Sequence, residues 1–94
     1  AGTITAYVHA GDKVGVMLEL MSETDFVSKN PEFKAVAKEI AMHIAAMKPE
    51  NTEELLAQPF IKDPSKTIQD IINGTVQKFG ERTEIGEFKR FSID

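Results

Sequence analysis

The stretch ELMSETDFVSKNPEFKAVAKEIAMHIAAMKP, residues Glu19 to Pro49, decides how the chain folds. Leu18 and Leu20 end an alternating strand. Thr24-Asp25-Phe26-Val27 then sets a carboxylate beside an aromatic ring, just ahead of a helix. Asn30-Pro31-Glu32 opens that helix: Asn is a good N-cap, Pro suits the first helical position, and Glu complements the helix dipole. Phe33, Val36, Ala37, Ile40, Ala41, Ile44, Ala45 and Met47 recur at steps of three and four, which makes one apolar stripe able to cover a sheet. Lys48 favours the helix end and Pro49 stops it. Met42 and His43 fall at the margin of the stripe, with Ala46 close by. The Phe26 ring, at a junction between elements, has two ordinary fates. It folds under as a plug for the core, or it projects as an anchor for a partner.

Upstream, Ile4, Ala6 and Val8 alternate with Thr3, Thr5, Tyr7 and His9, a period of two that predicts a strand. Ala10-Gly11-Asp12-Lys13 is a turn. Val14, Val16, Leu18 and Leu20 alternate with Gly15, Met17, Glu19 and Met21 in a second strand. The pair is expected to form an antiparallel hairpin with Ile4, Ala6 and Val8 on the core side. The reverse face would carry Tyr7, Met17 and Met21. Those are scattered surface hydrophobes, or a sheet face that packs on another subunit or a partner.

Downstream, Glu50 to Leu56 predicts a short capped helix that breaks at Gln58-Pro59. Phe60 and Ile61 are expected to plug the core. Asp63-Pro64 repeats the cap-then-proline signal. Ile68, Ile71, Ile72, Val76 and Phe79 mark a second amphipathic helix, which Gly74 weakens and Gly80 closes. Thr83 to Ile93 reads as a last strand of broken parity: Ile85, Phe91 and Ile93 share one face and Phe88 the other. A bulge near Gly86, or burial of both faces, would account for this. The fold expected is α+β in two layers: a three-stranded antiparallel sheet covered on one face by helices, in one domain spanning 1–94.

Ninety-four residues, 41% hydrophobic and 28% charged, suit one small ordinary domain whose modest core would gain from a partner or from dimerisation. The formal charge of −4 and the lack of any basic run argue against nucleic acid as the main ligand. The absence of cysteine rules out disulfides, thiol catalysis and cysteine zinc sites, and fits a reducing cytoplasm. Two histidines carry no metal-site signal. No apolar run approaches the ~20 residues of a membrane span, and no signal-peptide pattern opens the chain. No nucleophile motif, phosphate-binding glycine loop or paired-carboxylate signature points to an enzyme or to a cofactor. The start, Ala1-Gly2-Thr3, reads as a cut made in a longer protein.

Four segments, ETDFVSKNPEF, IAMHIAAMKP, QPFIKDPSKTIQDII and FKRFSID, resemble translation elongation factor Ts in that family's order and span most of the chain. The resemblance implies a guanine-nucleotide exchange factor that binds elongation factor Tu and promotes GDP release in the bacterial cytoplasm, by binding alone. It also implies that Thr24, Asp25, Phe26 and Val27 approach the nucleotide-binding domain. There the phenyl ring intrudes between side chains and disturbs the Mg²⁺ site. By the same similarity Met42 and His43 lie on a second contact surface. Two departures stand out: nothing matches the family's N-terminal helical domain, and the region between Met47 and Gln58 is shorter than in many members. The alternative is a dimerisation or scaffold module that self-associates through its sheet face and has no exchange activity of its own.

Overall fold

A computed structural model describes residues 1–93. The element order is β1 (Gly2–Val8), β2 (Val14–Met21), α1 (Asp25–Ser28), α2 (Pro31–Met47), α3 (Thr52–Ala57), β3 (Pro59–Phe60), β4 (Asp63–Thr67), α4 (Ile68–Phe79) and β5 (Glu84–Ser92). The main sheet is antiparallel in the order β1-β2-β5, with the helices on one face; β3 and β4 form a second, two-stranded sheet. The expected α+β architecture is therefore present, and the small β3–β4 sheet is an addition to it. Among the described residues no helix is long and apolar enough to cross a membrane.

Alternation in β2 puts Val16, Leu18 and Leu20 inward, all at most 2% exposed. Opposite them lies the α2 stripe of Phe33, Ala37, Ile40, Ala41, Ile44 and Ala45; Leu55, Phe60, Ile68 and Ile72 close the core. Removing side chains of that size from water contributes about 1.5–3 kcal/mol each. Asn30 caps α2 through its side chain, which accepts from the Glu32 amide at 2.8 Å. The helix ends on Lys48 in the left-handed region. At the far end of α2, Arg90 Nε of β5 donates to the Ala45 carbonyl at 3.1 Å and so satisfies a helix-terminal acceptor. Phe33 and Phe79 meet edge to face at 5.9 Å, and the Glu32–Lys78 ion pair lies beside them, joining α2 to α4.

Three expectations change. The first concerns β1. Its inward residues are Thr3, Thr5 and Tyr7, while Ile4, Ala6 and Val8 face outward. The cause is the turn. His9 N donates to the Val14 carbonyl at 2.8 Å across four loop residues, in which Gly11 (φ 94°) and Asp12 (φ 61°) adopt left-handed angles. That closure sets Tyr7 opposite Val16, Thr5 opposite Leu18 and Thr3 opposite Leu20. Directly paired residues point to the same side, so β1 follows the parity of β2.

The second is Asp63-Pro64, which starts a strand, not a helix. The Asp63 carboxylate is engaged by Ser65, whose amide and hydroxyl donate to it. The cap of α4 is Thr67, in a capping box with Asp70. The third is Ile61: Phe60 plugs the core, but Ile61 is 42% exposed because its amide, not its side chain, points inward.

The bulge near Gly86 is present. Leu18 pairs with Phe88 and Leu20 with Ile85, so Glu19 faces two residues of β5. Ile85 and Phe88 thereby share the inner face, and the Glu87 amide donates to Glu19 Oε1 at 2.8 Å. A side chain at Gly86 would press on Glu19. Gly74 differs: a methyl group there would meet no atom within 4 Å. Gly74→Ala is expected to stabilise the domain by about 1 kcal/mol, from better helix propensity and a less disordered unfolded chain. Urea unfolding would show this as a raised midpoint at constant slope; an unchanged or lowered midpoint would contradict it.

Candidate functional site

Between the end of β2 and the start of α2 the chain has only Ser22 to Asn30 in which to leave the sheet and enter the helix layer. Its turn α1 is four residues long, too short to hold itself together. What holds it is its inner side. Val27 and Ser28 are 4% and 3% exposed, and Val27 belongs to the core. Side chains on successive helical positions point about 100° apart, so burial of Val27 turns its neighbour Phe26 away. Phe26 is 86% exposed, the most exposed of the large apolar side chains. Asp25 and Thr24 beside it are exposed as well. The ring does not plug the core.

Thr24 is the N-cap of α1. Its hydroxyl oxygen accepts from the Val27 amide at 3.4 Å, and its carbonyl accepts from Ser22 Oγ at 2.9 Å. A second segment, the connection between α4 and β5, reaches the same place. The Glu23 and Thr24 amides donate to Glu81 Oε1 at 3.2 and 3.0 Å, and the Thr24 hydroxyl donates to Glu81 Oε2 at 2.7 Å. In return the Arg82 amide donates to Glu23 Oε2 at 2.6 Å. Glu81 and Glu23 lie more than fifty residues apart from their partners. Sequence reasoning missed both, because nothing in the local pattern announces a bond to a distant loop.

Met42 is half-buried, and His43 is fully buried, contrary to its expected place on a second contact surface. The reason is a set of internal bonds. The Ile61 amide donates to His43 Nδ1 at 3.1 Å, which leaves Nε2–H to donate to Gln58 Oε1 at 2.9 Å. Gln58 in turn donates to the Met47 carbonyl at 3.2 Å, and the Phe60 ring lies 5.9 Å from the imidazole. His43 thus ties the crossover at 58–61 to α2. Burial lowers its pKa, opposed in part by the Gln58 bond.

The outer face of the main sheet carries a second candidate surface. Ile4, Val8, Met17 and Phe91 are 64%, 63%, 52% and 60% exposed there. The register sets Met17 between Ala6 and Lys89, and Gly15 between Val8 and Phe91. Lys89 extends over the Phe91 ring at 5.6 Å. Among the described residues no cluster of three potential metal ligands occurs. At the α1 turn the exposed Phe26 ring stands beside the exposed Asp25 carboxylate and Thr24.

The family model for elongation factor Ts matches residues 1–54 and 23–94. Elongation factor Ts of Trichlorobacter lovleyi is 44% identical, over 99% of this chain and 30% of the relative. That of Thermodesulfovibrio yellowstonii is 37% identical over 98% and 68%, and that of Desulforamulus reducens 34% over 98% and 63%. The chain therefore spans from about a third to two thirds of the length of these relatives. The last two alignments run over 136 and 137 positions, so those relatives carry residues within the matched stretch that this chain lacks.

The buried imidazole makes stability depend on pH. The unfolded ring titrates near its ordinary value of about 6.5, and the folded ring lower. Between those two values the unfolded state holds the extra proton. Stability is then complete above about pH 6.5 and falls as pH drops towards the folded value, by at most about 1.4 kcal/mol per unit. Denaturant unfolding between pH 7.5 and 5 is expected to show this fall in the parent and a flatter profile in His43→Gln. Parallel profiles would contradict it.

Proposed function

The chain belongs to the elongation factor Ts family, and on that premise we propose that it is a guanine-nucleotide exchange module that binds elongation factor Tu and promotes GDP release. The observation that carries this reading is the Phe26 ring, 86% exposed on a turn whose other side is buried. A ring kept in water by its own scaffold has its contact area free for a partner. Having few rotatable bonds, it loses little entropy on docking.

Exchange follows from differential affinity. A factor that binds the nucleotide-free form of its target more tightly than the GDP form lowers the affinity for GDP by the same factor. Phe26 is the wedge that displaces side chains around the Mg²⁺ and phosphate site. Asp25, exposed beside it, brings a negative charge that competes for polar groups there. Thr24 presents the same rim. Val27 acts from behind as the anchor, and His43 supports the α2 surface on which Met42 lies. No covalent step is required.

Phe26→Ala is expected to weaken binding to elongation factor Tu by about 2–4 kcal/mol, roughly 30- to 1,000-fold. Thermal stability should change little, since the ring touches little of its own core. Release of fluorescent GDP from elongation factor Tu measures the first and circular dichroism the second. Unchanged GDP release with a folded variant would refute the wedge.

A second reading is favoured by a separate observation, the apolar outer face of the sheet. Four large side chains more than half exposed on one face suit self-association of two copies, sheet on sheet. This does not compete with the wedge, because Phe26 lies on the turn beyond the sheet. Light scattering across concentration is expected to show a dimer. Met17→Lys, at the centre of that face and directly opposite Lys89, should raise its dissociation constant at least tenfold, since it sets two like charges side by side in the buried seam. A strict monomer at high concentration would exclude the reading.

A further inference from the structure

We propose that Glu81 is a positioning residue for the wedge: its carboxylate caps α1 from a distant loop and holds Phe26 in the outward, binding-ready position. The proposal rests on the reading of Phe26 as the binding ring and deepens it.

The first turn of a helix leaves amides without partners, and the usual remedy is a capping box. In that device the N-cap hydroxyl accepts from the third helical amide, and an acid at that third position accepts from the N-cap amide. The protein contains one in local form, where Thr67 and Asp70 open α4. At α1 the same half-box exists: the Thr24 hydroxyl accepts from Val27 N. The acid position, however, is occupied by Val27, which is buried in the core and has no oxygen to offer. A Glu there would lose the anchor that turns Phe26 outward. Glu81 supplies the missing carboxylate from 57 residues away. It accepts from the Thr24 amide, from the Glu23 amide before it, and from the Thr24 hydroxyl, at 3.0, 3.2 and 2.7 Å. An acid at that end of a helix also suits the helix dipole.

The mount is itself fixed. Gly80 ends α4 in the left-handed region (φ 70°), and its amide donates to the Val76 carbonyl at 2.8 Å. Thr83, 4% exposed, donates through its hydroxyl to the Glu81 carbonyl at 3.2 Å. The Arg82 amide bonds Glu23, which closes the exchange in both directions. Each loop therefore lends a carboxylate to the backbone of the other. Holding a short turn in its bound shape before the partner arrives removes an ordering cost from association.

A double-mutant cycle on the full chain tests this, with binding to elongation factor Tu as readout. Glu81→Ala is expected to weaken binding about 5- to 20-fold when Phe26 is present, and less than about twofold when combined with Phe26→Ala. Glu81→Gln keeps an acceptor oxygen for both amides and should stay within about threefold of the parent. Thr67→Ala removes the local cap of α4, and should lower the melting temperature comparably while leaving binding within about twofold. Glu81→Asp, one methylene too short to reach Thr24, should behave as the alanine variant does and replaces it if that variant does not fold. An equal loss with and without the ring, or an intact affinity in both Glu81→Ala and Glu81→Asp while Phe26→Ala fails, would overturn the positioning role alone. Intact binding in Phe26→Ala would overturn the wedge, and this proposal with it.

Discussion

Burial of the α2 stripe against the inner face of β2 is the constraint from which the rest follows. Phe33, Ile40 and Ile44 on one side and Val16, Leu18 and Leu20 on the other are at most 2% exposed. With those two elements locked, the nine residues between Met21 and Pro31 have little freedom in where they run. One of them, Val27, completes the core. Its neighbour Phe26 cannot also do so, because consecutive positions on a helical turn diverge. An exposed phenyl ring would normally be ordinary. Here it is the consequence of a packed neighbour and a capped turn, which makes it a fixed feature of the surface.

The two candidate surfaces have different physical origins. The turn around Phe26 is made by a junction and depends on a few hydrogen bonds of charged groups, each stronger than a neutral one. The outer sheet face is made by hairpin register. Once Tyr7 pairs with Val16, the whole aliphatic set of β1 is carried outward. The bulge at Gly86 then turns Ile85 and Phe88 inward and leaves Phe91 outward with Ile4, Val8 and Met17. A sheet helped by helices on one side only thus keeps a second apolar side. For a chain of 94 residues with a modest core, covering that side would bring stability that the monomer lacks.

Much of this was legible in the sequence. The helix from Pro31, its Asn30 cap, the Gly80 stop of α4 and the bulge near Gly86 each rest on local chemistry, and each stands where that chemistry puts it. The parity of β1 was legible too, but only through the turn. Placing four loop residues at Ala10 to Lys13 already pairs His9 with Val14 and Val8 with Gly15, which sends Val8 outward. Judging the face by aliphatic content alone gave the opposite side. Asp63-Pro64 misled because a cap signal is local and Thr67, with Asp70, is the better cap four residues after Asp63. His43 and Glu81 were beyond local reading. The role of each depends on a partner brought in by tertiary folding: Gln58 and the Ile61 amide for one, the Thr24 turn for the other.

The proposed exchange function requires the Phe26 ring to be open in the free chain and covered in the complex. Fluorine NMR of the chain labelled with fluorophenylalanine reads this at the ring itself, through the shift between H2O and D2O. The Phe26 resonance is expected to show the full solvent shift of an exposed ring when free and to lose it on saturation with nucleotide-free elongation factor Tu. A Phe26 resonance that keeps its solvent shift in the saturated complex would contradict the account.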